Sequence, residues 1–141
     1  DDIENIAFIM AGGFGTRLGE LTSKCPKPML KISDKPILEH QINTLKKYGF
    51  KNYIISTHYL PDVIKEYFGS GKSHGVHIDY VYEKKPLGTG GALSLLKEYS
   101  IESPFLMMNG DILTEMNFAN LLRFHRQIQQ LYCSCCVLSK D

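Results

Sequence analysis

The most informative stretch of the chain is Ile6-Ala7-Phe8-Ile9-Met10, which leads directly into Ala11-Gly12-Gly13-Phe14-Gly15-Thr16-Arg17-Leu18. An apolar run followed by glycines predicts a buried strand that ends in a tight loop. The three glycines leave no side chain to keep a bulky anion away from the backbone N–H groups. Pro26-Lys27-Pro28-Met29 comes soon after, so Arg17 and Lys27 add two positive charges to one long loop. This pattern predicts a loop that binds a polyphosphate.

Two commoner phosphate-binding motifs do not fit this loop. The dinucleotide fingerprint G-x-G-x-x-G fails because Leu18 stands where its third glycine belongs. The ATPase-type loop fails because no Gly-Lys-Ser/Thr follows Gly12 at the required distance. A structural glycine-rich turn with solvated Arg17 and Lys27 is the alternative. Lys27 stands between two prolines, which predicts extended backbone and a fixed position, and this favours the phosphate-binding interpretation.

Strand-like and helix-like patterns alternate along the rest of the chain. The predicted strands cover residues 6–10, 53–55, 76–82, 105–108 and 132–138. The predicted helices cover residues 37–48, 61–68, 92–99 and 118–125, with Gly49 and Gly69 ending the first two. Strands that alternate with crossover helices indicate an α/β fold with a mostly parallel sheet and helices on both faces.

The motifs that carry polar chemistry follow successive strands of this predicted sheet. The glycine loop follows the first strand, residues 83–91 follow the third, and Asp111 follows the fourth. In open parallel sheets, ligands bind outside the carboxyl ends of the strands. We therefore expect these three segments to meet at one edge of the sheet.

Glu83 precedes a glycine-rich segment, Pro86-Leu87-Gly88-Thr89-Gly90-Gly91, whose glycines allow the backbone to approach a flat ligand closely. An ionised carboxylate only accepts hydrogen bonds. Guanine offers adjacent donors at N1–H and N2–H₂, whereas uracil and thymine place a single N–H between two carbonyl acceptors. This difference favours GTP as the ligand. The alternative is that Glu83 is a solvated charge beside Lys84 and Lys85.

Asn109-Gly110-Asp111 ends an apolar strand at the same predicted edge. A carboxylate beside a triphosphate suits Mg²⁺, which proteins usually bind through one or two carboxylates together with phosphate oxygens. An Asn-Gly-Asp turn that only caps the strand is the alternative.

Composition excludes several other functions. The chain has 141 residues with 16 basic and 15 acidic side chains, a net charge of +1 that does not suit sequence-independent binding of nucleic acid. No apolar run approaches the ~18 residues of a membrane span, and the acidic N-terminus has no signal-peptide pattern. The spacing of Cys25, Cys133, Cys135 and Cys136 fits no zinc site. We therefore expect a cytoplasmic protein with reduced thiols.

The chain resembles the sugar-phosphate nucleotidyltransferases, whose signature reads A-G-G-x-G-T-R-L and then P-K-P-M. The resemblance continues at Pro86-Leu87-Gly88-Thr89-Gly90-Gly91, whose wording is similar to that of the mannose-1-phosphate and heptose-1-phosphate guanylyltransferases, and at Asn109-Gly110-Asp111. One departure is visible, because Gly19-Glu20 precede Leu21-Thr22 where the family commonly has a proline. The resemblance implies a Rossmann-like fold of the nucleotide-diphospho-sugar transferase type.

The resemblance also implies an activity: a nucleoside monophosphate moves from an NTP, with GTP favoured, to a sugar 1-phosphate, and pyrophosphate leaves. Arg17 and Lys27 are the implied catalytic residues, on the departing phosphates and between the reacting phosphates respectively. Asp111 is the implied first ligand of Mg²⁺. The implied nucleotide-binding residues are Ala11, Gly12, Gly13, Gly15, Thr16, Glu83, Gly88 and Thr89.

Catalytic domains of this family are longer than 141 residues. We therefore expect residues 1–141 to be the nucleotide-binding part, truncated at its C-terminal side and without the sugar-binding part and second metal carboxylate. On this interpretation the isolated chain binds nucleotide better than it turns over substrate. Homo-oligomerisation stays open.

Two alternative functions use related sequences. A non-catalytic nucleotide-sensing subunit is expected to lose the charged positions, yet Arg17, Lys27 and Asp111 are all present. A guanylyltransferase of the molybdenum-cofactor type has Ser-x-Arg-Met-Gly and lacks Pro-Lys-Pro, so it fits less well.

Overall fold

The computed structural model of the chain describes residues 3–12, 23–85, 91, 93–99, 105–110 and 135–138. The strands are β1 (Ile3–Met10), β2 (Lys31–Ile32), β3 (Lys35–Pro36), β4 (Phe50–Thr57), β5 (His77–Tyr82), β6 (Phe105–Asn109) and β7 (Cys135–Leu138). The α-helices are α1 (Ile37–Lys47) and α2 (Pro61–Phe68), and 3₁₀ helices cover Lys27–Met29, Lys72–His74 and Leu93–Tyr99.

Five strands form one parallel sheet in the order β5-β4-β1-β6-β7. The strand β1 lies at its centre, where Met10 is in register with Ser56 of β4 on one side and with Asn109 of β6 on the other. The chain runs outward from β1 through β4 and β5 and then returns to the other side of β1 with β6. The crevice outside the carboxyl ends of β1 and β6 is therefore the topological switch point, where such sheets bind ligands.

Both faces of the sheet bury apolar side chains, because successive residues of a strand point to opposite faces. On one face, Ala7 and Ile9 of β1 belong to the same cluster as Leu38 of α1 and Ile64 of α2. On the other face, Phe8 of β1 belongs to a cluster with Ile54, Met107 and Leu96 of the 3₁₀ helix Leu93–Tyr99. The predicted fold class, a mostly parallel sheet covered on both faces, is confirmed.

The predicted helix boundaries agree well with the structure. The helix α1 ends just before Gly49, whose φ of 102° lies in the region that favours glycine. The helix α2 begins at Pro61 and ends at Gly69, again with positive φ. The predicted third helix is a 3₁₀ helix over Leu93–Tyr99. The predicted fourth helix, residues 118–125, lies outside the described residues. None of the described helices is long and apolar enough to cross a membrane.

Two features between β1 and α1 differ from the predictions. Strands β2 and β3 form a small antiparallel ribbon that the sequence pattern did not indicate. The prediction of extended backbone at Lys27 is wrong, because Lys27–Met29 is a 3₁₀ helix, closed by Met29 N–H donating to the Pro26 oxygen at 2.8 Å. Pro26, just before this helix, is extended, with φ −65° and ψ 149°.

Candidate functional site

The segments that leave β1, β5 and β6 are each hydrogen-bonded to the end of a neighbouring strand. Ala11 N–H donates to the Ser56 oxygen at 2.9 Å, and Glu83 N–H donates to the Thr57 oxygen at 2.7 Å. Gly110 N–H donates to the Met10 oxygen at 2.8 Å. Ala11, Glu83 and Gly110 therefore lie at one edge of the sheet, as its parallel register requires.

Gly12 lies directly against Glu83. A Cβ atom added to Gly12 would lie 3.3 Å from the His58 Cβ and 3.4 Å from both the Cδ and Oε1 atoms of Glu83. Glu83 is buried, with only 6% of its surface exposed. The glycine loop thus begins beside a buried carboxylate, and an alanine methyl group at position 12 would make van der Waals contact with it.

Gly110 makes the second close approach at this edge. A Cβ atom added there would lie 3.0 Å from the Met10 oxygen, 3.2 Å from the Pro28 Cγ and 3.4 Å from the Ala11 Cα. The Pro-Lys-Pro segment therefore packs into the crevice between the ends of β1 and β6. Lys27 belongs to this segment and is half-buried.

Further hydrogen bonds fix the segments that surround the crevice. The Gln41 side-chain amide, from α1, donates to the Asn109 oxygen at 2.8 Å, which ties the helix to the end of β6. The Tyr59 hydroxyl donates to the Ser23 oxygen at 3.2 Å, so the chain returning from the glycine loop is bound to the segment after β4.

Cys25 lies immediately before the Pro-Lys-Pro segment and packs partly buried against the core. Burial raises the pKa of its thiol, and Lys31 acts in the opposite direction with a smaller effect. Because the thiolate is the reactive form of cysteine, this environment favours an unreactive thiol.

The structure brings four of the predicted site residues to one edge of the sheet: Ala11, Gly12, Lys27 and Glu83. The other predicted residues lie outside the described residues; these are Gly13, Gly15, Thr16, Arg17, Gly88, Thr89 and Asp111. Asp111 directly follows Gly110 in sequence. Within the described ranges, no group of three histidine, cysteine or acidic side chains could hold a metal ion.

Sequence reasoning missed His58 and Tyr82. The His58 ring Nδ1–H donates to the main-chain carbonyl oxygen of Glu83 at 2.5 Å. The ring also stacks on that of Tyr82, with the ring centroids 6.1 Å apart. The signal that could have pointed to His58 was its position, because it directly follows a buried strand of the parallel sheet.

Comparisons with known proteins identify the family of this chain. The protein-family model described as "Nucleotidyl transferase" matches residues 6–141. Mannose-1-phosphate guanyltransferase beta-B of Xenopus laevis is 40% identical over 123 residues, which are 85% of this chain and 34% of that protein. Mannose-1-phosphate guanylyltransferase of Mycobacterium tuberculosis is 39% identical over 120 residues, which are 85% of this chain and 33% of that protein. The chain thus spans about a third of the length of these curated relatives.

Solved structures show the same fold. HddC from Yersinia pseudotuberculosis, complexed with GMP-PN, superposes with a TM-score of 0.76 at 33% identity, over 86% of this chain and 54% of that one. A putative glucose-1-phosphate thymidylyltransferase from Bacillus anthracis gives a TM-score of 0.78 at 25% identity, over 86% and 50%. With a family model that matches nearly its whole length, this chain belongs to the nucleotidyl transferase family.

Proposed function

We propose that the chain is the nucleotide-binding part of an enzyme that transfers GMP from GTP to a sugar 1-phosphate. The observation that carries the proposal is the buried Glu83 carboxylate beside Gly12, at the edge formed by the carboxyl ends of the strands. Two mannose-1-phosphate guanylyltransferases and a structure complexed with GMP-PN stand among the relatives of this chain, which supports the guanine assignment.

In the proposed reaction, an oxygen of the sugar 1-phosphate attacks the α-phosphorus of GTP in line with the departing group. A new P–O bond forms as the bond between the α-phosphorus and its β-bridging oxygen breaks, and pyrophosphate leaves with the electron pair. The nucleophile is already an anion, so the protein mainly positions the reactants and neutralises charge.

Two cations would share the neutralisation of charge. Arg17 would bind the departing β- and γ-phosphates, since the planar guanidinium matches the geometry of phosphate oxygens. Lys27 would lie between the α-phosphate and the incoming phosphate and reduce their repulsion. The backbone of Ala11, Gly12, Gly13, Gly15 and Thr16 would bind phosphate oxygens, and Gly88 and Thr89 would contact the base from the segment after Glu83.

The proposed reaction includes Mg²⁺ at the edge formed by β1 and β6. Gly110 lies at this edge, close to the Met10 oxygen and Pro28, and Asp111 is the next residue in the sequence. An acidic oxygen ligand is of the type that Mg²⁺ prefers, with phosphate oxygens completing the coordination. When bound, the ion would offset negative charge on the phosphates, and Asp111 would hold it.

The first test compares five ligands, GTP, ATP, CTP, UTP and dTTP, each with Mg²⁺, by thermal stabilisation of the chain. A ligand at 100 times its Kd stabilises a protein by about 2.7 kcal/mol. We expect GTP to raise the melting temperature most. Equal stabilisation by all five, or a larger effect of UTP or dTTP, would contradict the guanine assignment.

Glu83→Gln tests the base contact directly. The amide offers one acceptor and one donor, so it cannot pair with both guanine donors, and a lost charged hydrogen bond costs about 1.5–3 kcal/mol. We expect GTP affinity to fall about tenfold or more and UTP affinity to rise. Glu66→Gln on the exposed surface of α2 is the matched control and should leave both affinities unchanged. Titration calorimetry in the presence of Mg²⁺ measures the GTP and UTP affinities of each variant. Unchanged GTP affinity in Glu83→Gln refutes the contact between Glu83 and guanine.

A further inference from the structure

His58 directly follows β4 and is half-buried at the edge where Glu83 lies. We infer that His58 is a positioning residue that orients Glu83 for recognition of the nucleotide base. The inference rests on the proposed function, because it gives Glu83 the task of binding guanine.

Both main-chain polar groups of Glu83 are held by consecutive residues. Its N–H donates to the Thr57 oxygen at 2.7 Å, and its carbonyl oxygen accepts from the His58 Nδ1–H at 2.5 Å. A carbonyl oxygen only accepts, so the His58 Nδ1 must carry a proton. The direction of the Cα–Cβ bond follows from the backbone, and these two hydrogen bonds therefore set the direction in which the Glu83 side chain leaves the chain.

The His58 side chain has a neighbour at its ring and another beside its Cβ. It stacks on the Tyr82 ring with an angle of 29° between the planes. Its Cβ lies 3.3 Å from the space that a Cβ on Gly12 would occupy. The Tyr82 ring at the end of β5 thus contacts the His58 ring, and Gly12 lies beside the His58 Cβ, so His58 lies between the start of the glycine loop and Glu83.

This link matters for base selectivity because the proposed contact is bidentate. A carboxylate pairs with N1–H and N2–H₂ of guanine only when both hydrogen bonds are close to linear, and hydrogen bonds weaken steeply as the angle departs from linearity. Release of the Glu83 main chain would misalign this pair. Binding of the triphosphate, assigned to the glycine loop and Lys27, would persist. Loss of His58 should therefore lower the preference for GTP over UTP while UTP affinity changes little.

The test measures the Kd of Mg²⁺–GTP and of Mg²⁺–UTP for wild type, His58→Ala and His58→Asn by titration calorimetry. The ratio of the two affinities should fall about tenfold in His58→Ala, the effect of one lost hydrogen bond. His58→Asn places an amide nitrogen where Nδ1 lies, so it should keep the ratio within about threefold of wild type. His77→Ala is the matched control, since this exposed histidine lies at the opposite end of β5.

Four outcomes overturn the inference. If His58→Ala keeps the wild-type ratio, or if His58→Asn loses as much of the ratio as His58→Ala does, the hydrogen bond is not the cause of the base preference. His77→Ala lowering the ratio equally would indicate a general effect of losing a histidine. A wild-type chain that does not prefer GTP to UTP overturns the guanine assignment and this inference together. The melting temperature of each variant without nucleotide separates a folding defect from a binding one.

Discussion

At the scale of single residues, the burial of two tyrosines makes the stability of this fold depend on pH. Tyr53 is 1% exposed, and its hydroxyl donates to the Phe50 oxygen at 2.8 Å. Tyr80 donates to the Gly69 oxygen at 2.7 Å. Burial raises the pKa of Tyr53 well above its ordinary value and raises the pKa of Tyr80 to about 12. In both cases the folded chain favours the neutral phenol.

The pKa of tyrosine in the unfolded chain is about 10. A raised folded pKa means that the folded state binds more protons above that value, so stability falls as the pH rises from about 10 to about 12. We expect Tyr80→Phe to flatten this decline. The free energy of urea unfolding, measured at neutral pH and again above pH ~10, checks this. A decline equally steep in the variant would contradict it.

At the scale of elements, the β2–β3 ribbon turns through two residues with left-handed backbone, Ser33 at φ 53° and Asp34 at φ 67°. Such hairpins favour Asn-Gly, because a side chain in this conformation costs about 1–2 kcal/mol. The ribbon is tied to α1, where Ile37 N–H donates to the Leu30 oxygen at 2.9 Å.

The double variant Ser33→Asn/Asp34→Gly should therefore stabilise the chain by about 1 kcal/mol. Asp34→Pro is the opposite control, since its ring fixes φ near −65° and should destabilise the fold. The midpoint of urea unfolding measures both. If neither substitution moved the midpoint, the ribbon would have to unfold separately from the sheet.

The same elements explain how far the sequence predicts the structure. Helix α1 was predictable because its periodic apolar residues stop before Gly49. Helix α2 was predictable because its periodic apolar residues start after Pro61. The ribbon was not, because its strands are two residues long and its turn lacks a glycine. The flanking prolines alone predicted extended backbone at Lys27. The main-chain hydrogen bonds of the 3₁₀ helix Lys27–Met29 override that preference.

At the scale of the whole molecule, the parallel topology predicts which chain segments lie together at the edge of the sheet. Parallel strands place their carboxyl ends together, which is why Ala11, Glu83 and Gly110 meet as expected. The position of His58 after a buried strand indicates only that it lies at this edge, and its contact with Glu83 becomes visible when β4 and β5 are paired.

Gly110 joins the two halves of the sheet at this edge. In Gly110→Ala the new Cβ would lie 3.0 Å from the Met10 oxygen and 3.2 Å from Pro28. We expect about 1–3 kcal/mol of destabilisation, as for other overpacked sites, together with weaker binding of Mg²⁺–GTP as the Pro-Lys-Pro segment shifts. Urea unfolding and calorimetry measure these effects.

Gly69→Ala is the matched control. A Cβ atom at Gly69 meets nothing within 4 Å, but its φ of 54° disfavours any side chain. This variant should lose stability and keep its nucleotide affinity. Normal GTP binding in Gly110→Ala would show that the segment tolerates the added methyl group.

The central place of β1 has a consequence for biosynthesis. On the ribosome, β1, β4 and β5 emerge before β6, so they can pair while the other side of β1 has no neighbour. That side is an open edge on an apolar strand, the kind of surface that promotes aggregation of nascent chains. Chaperone binding should therefore peak after β5 has left the ribosome and decline once β6 has emerged and closed the edge.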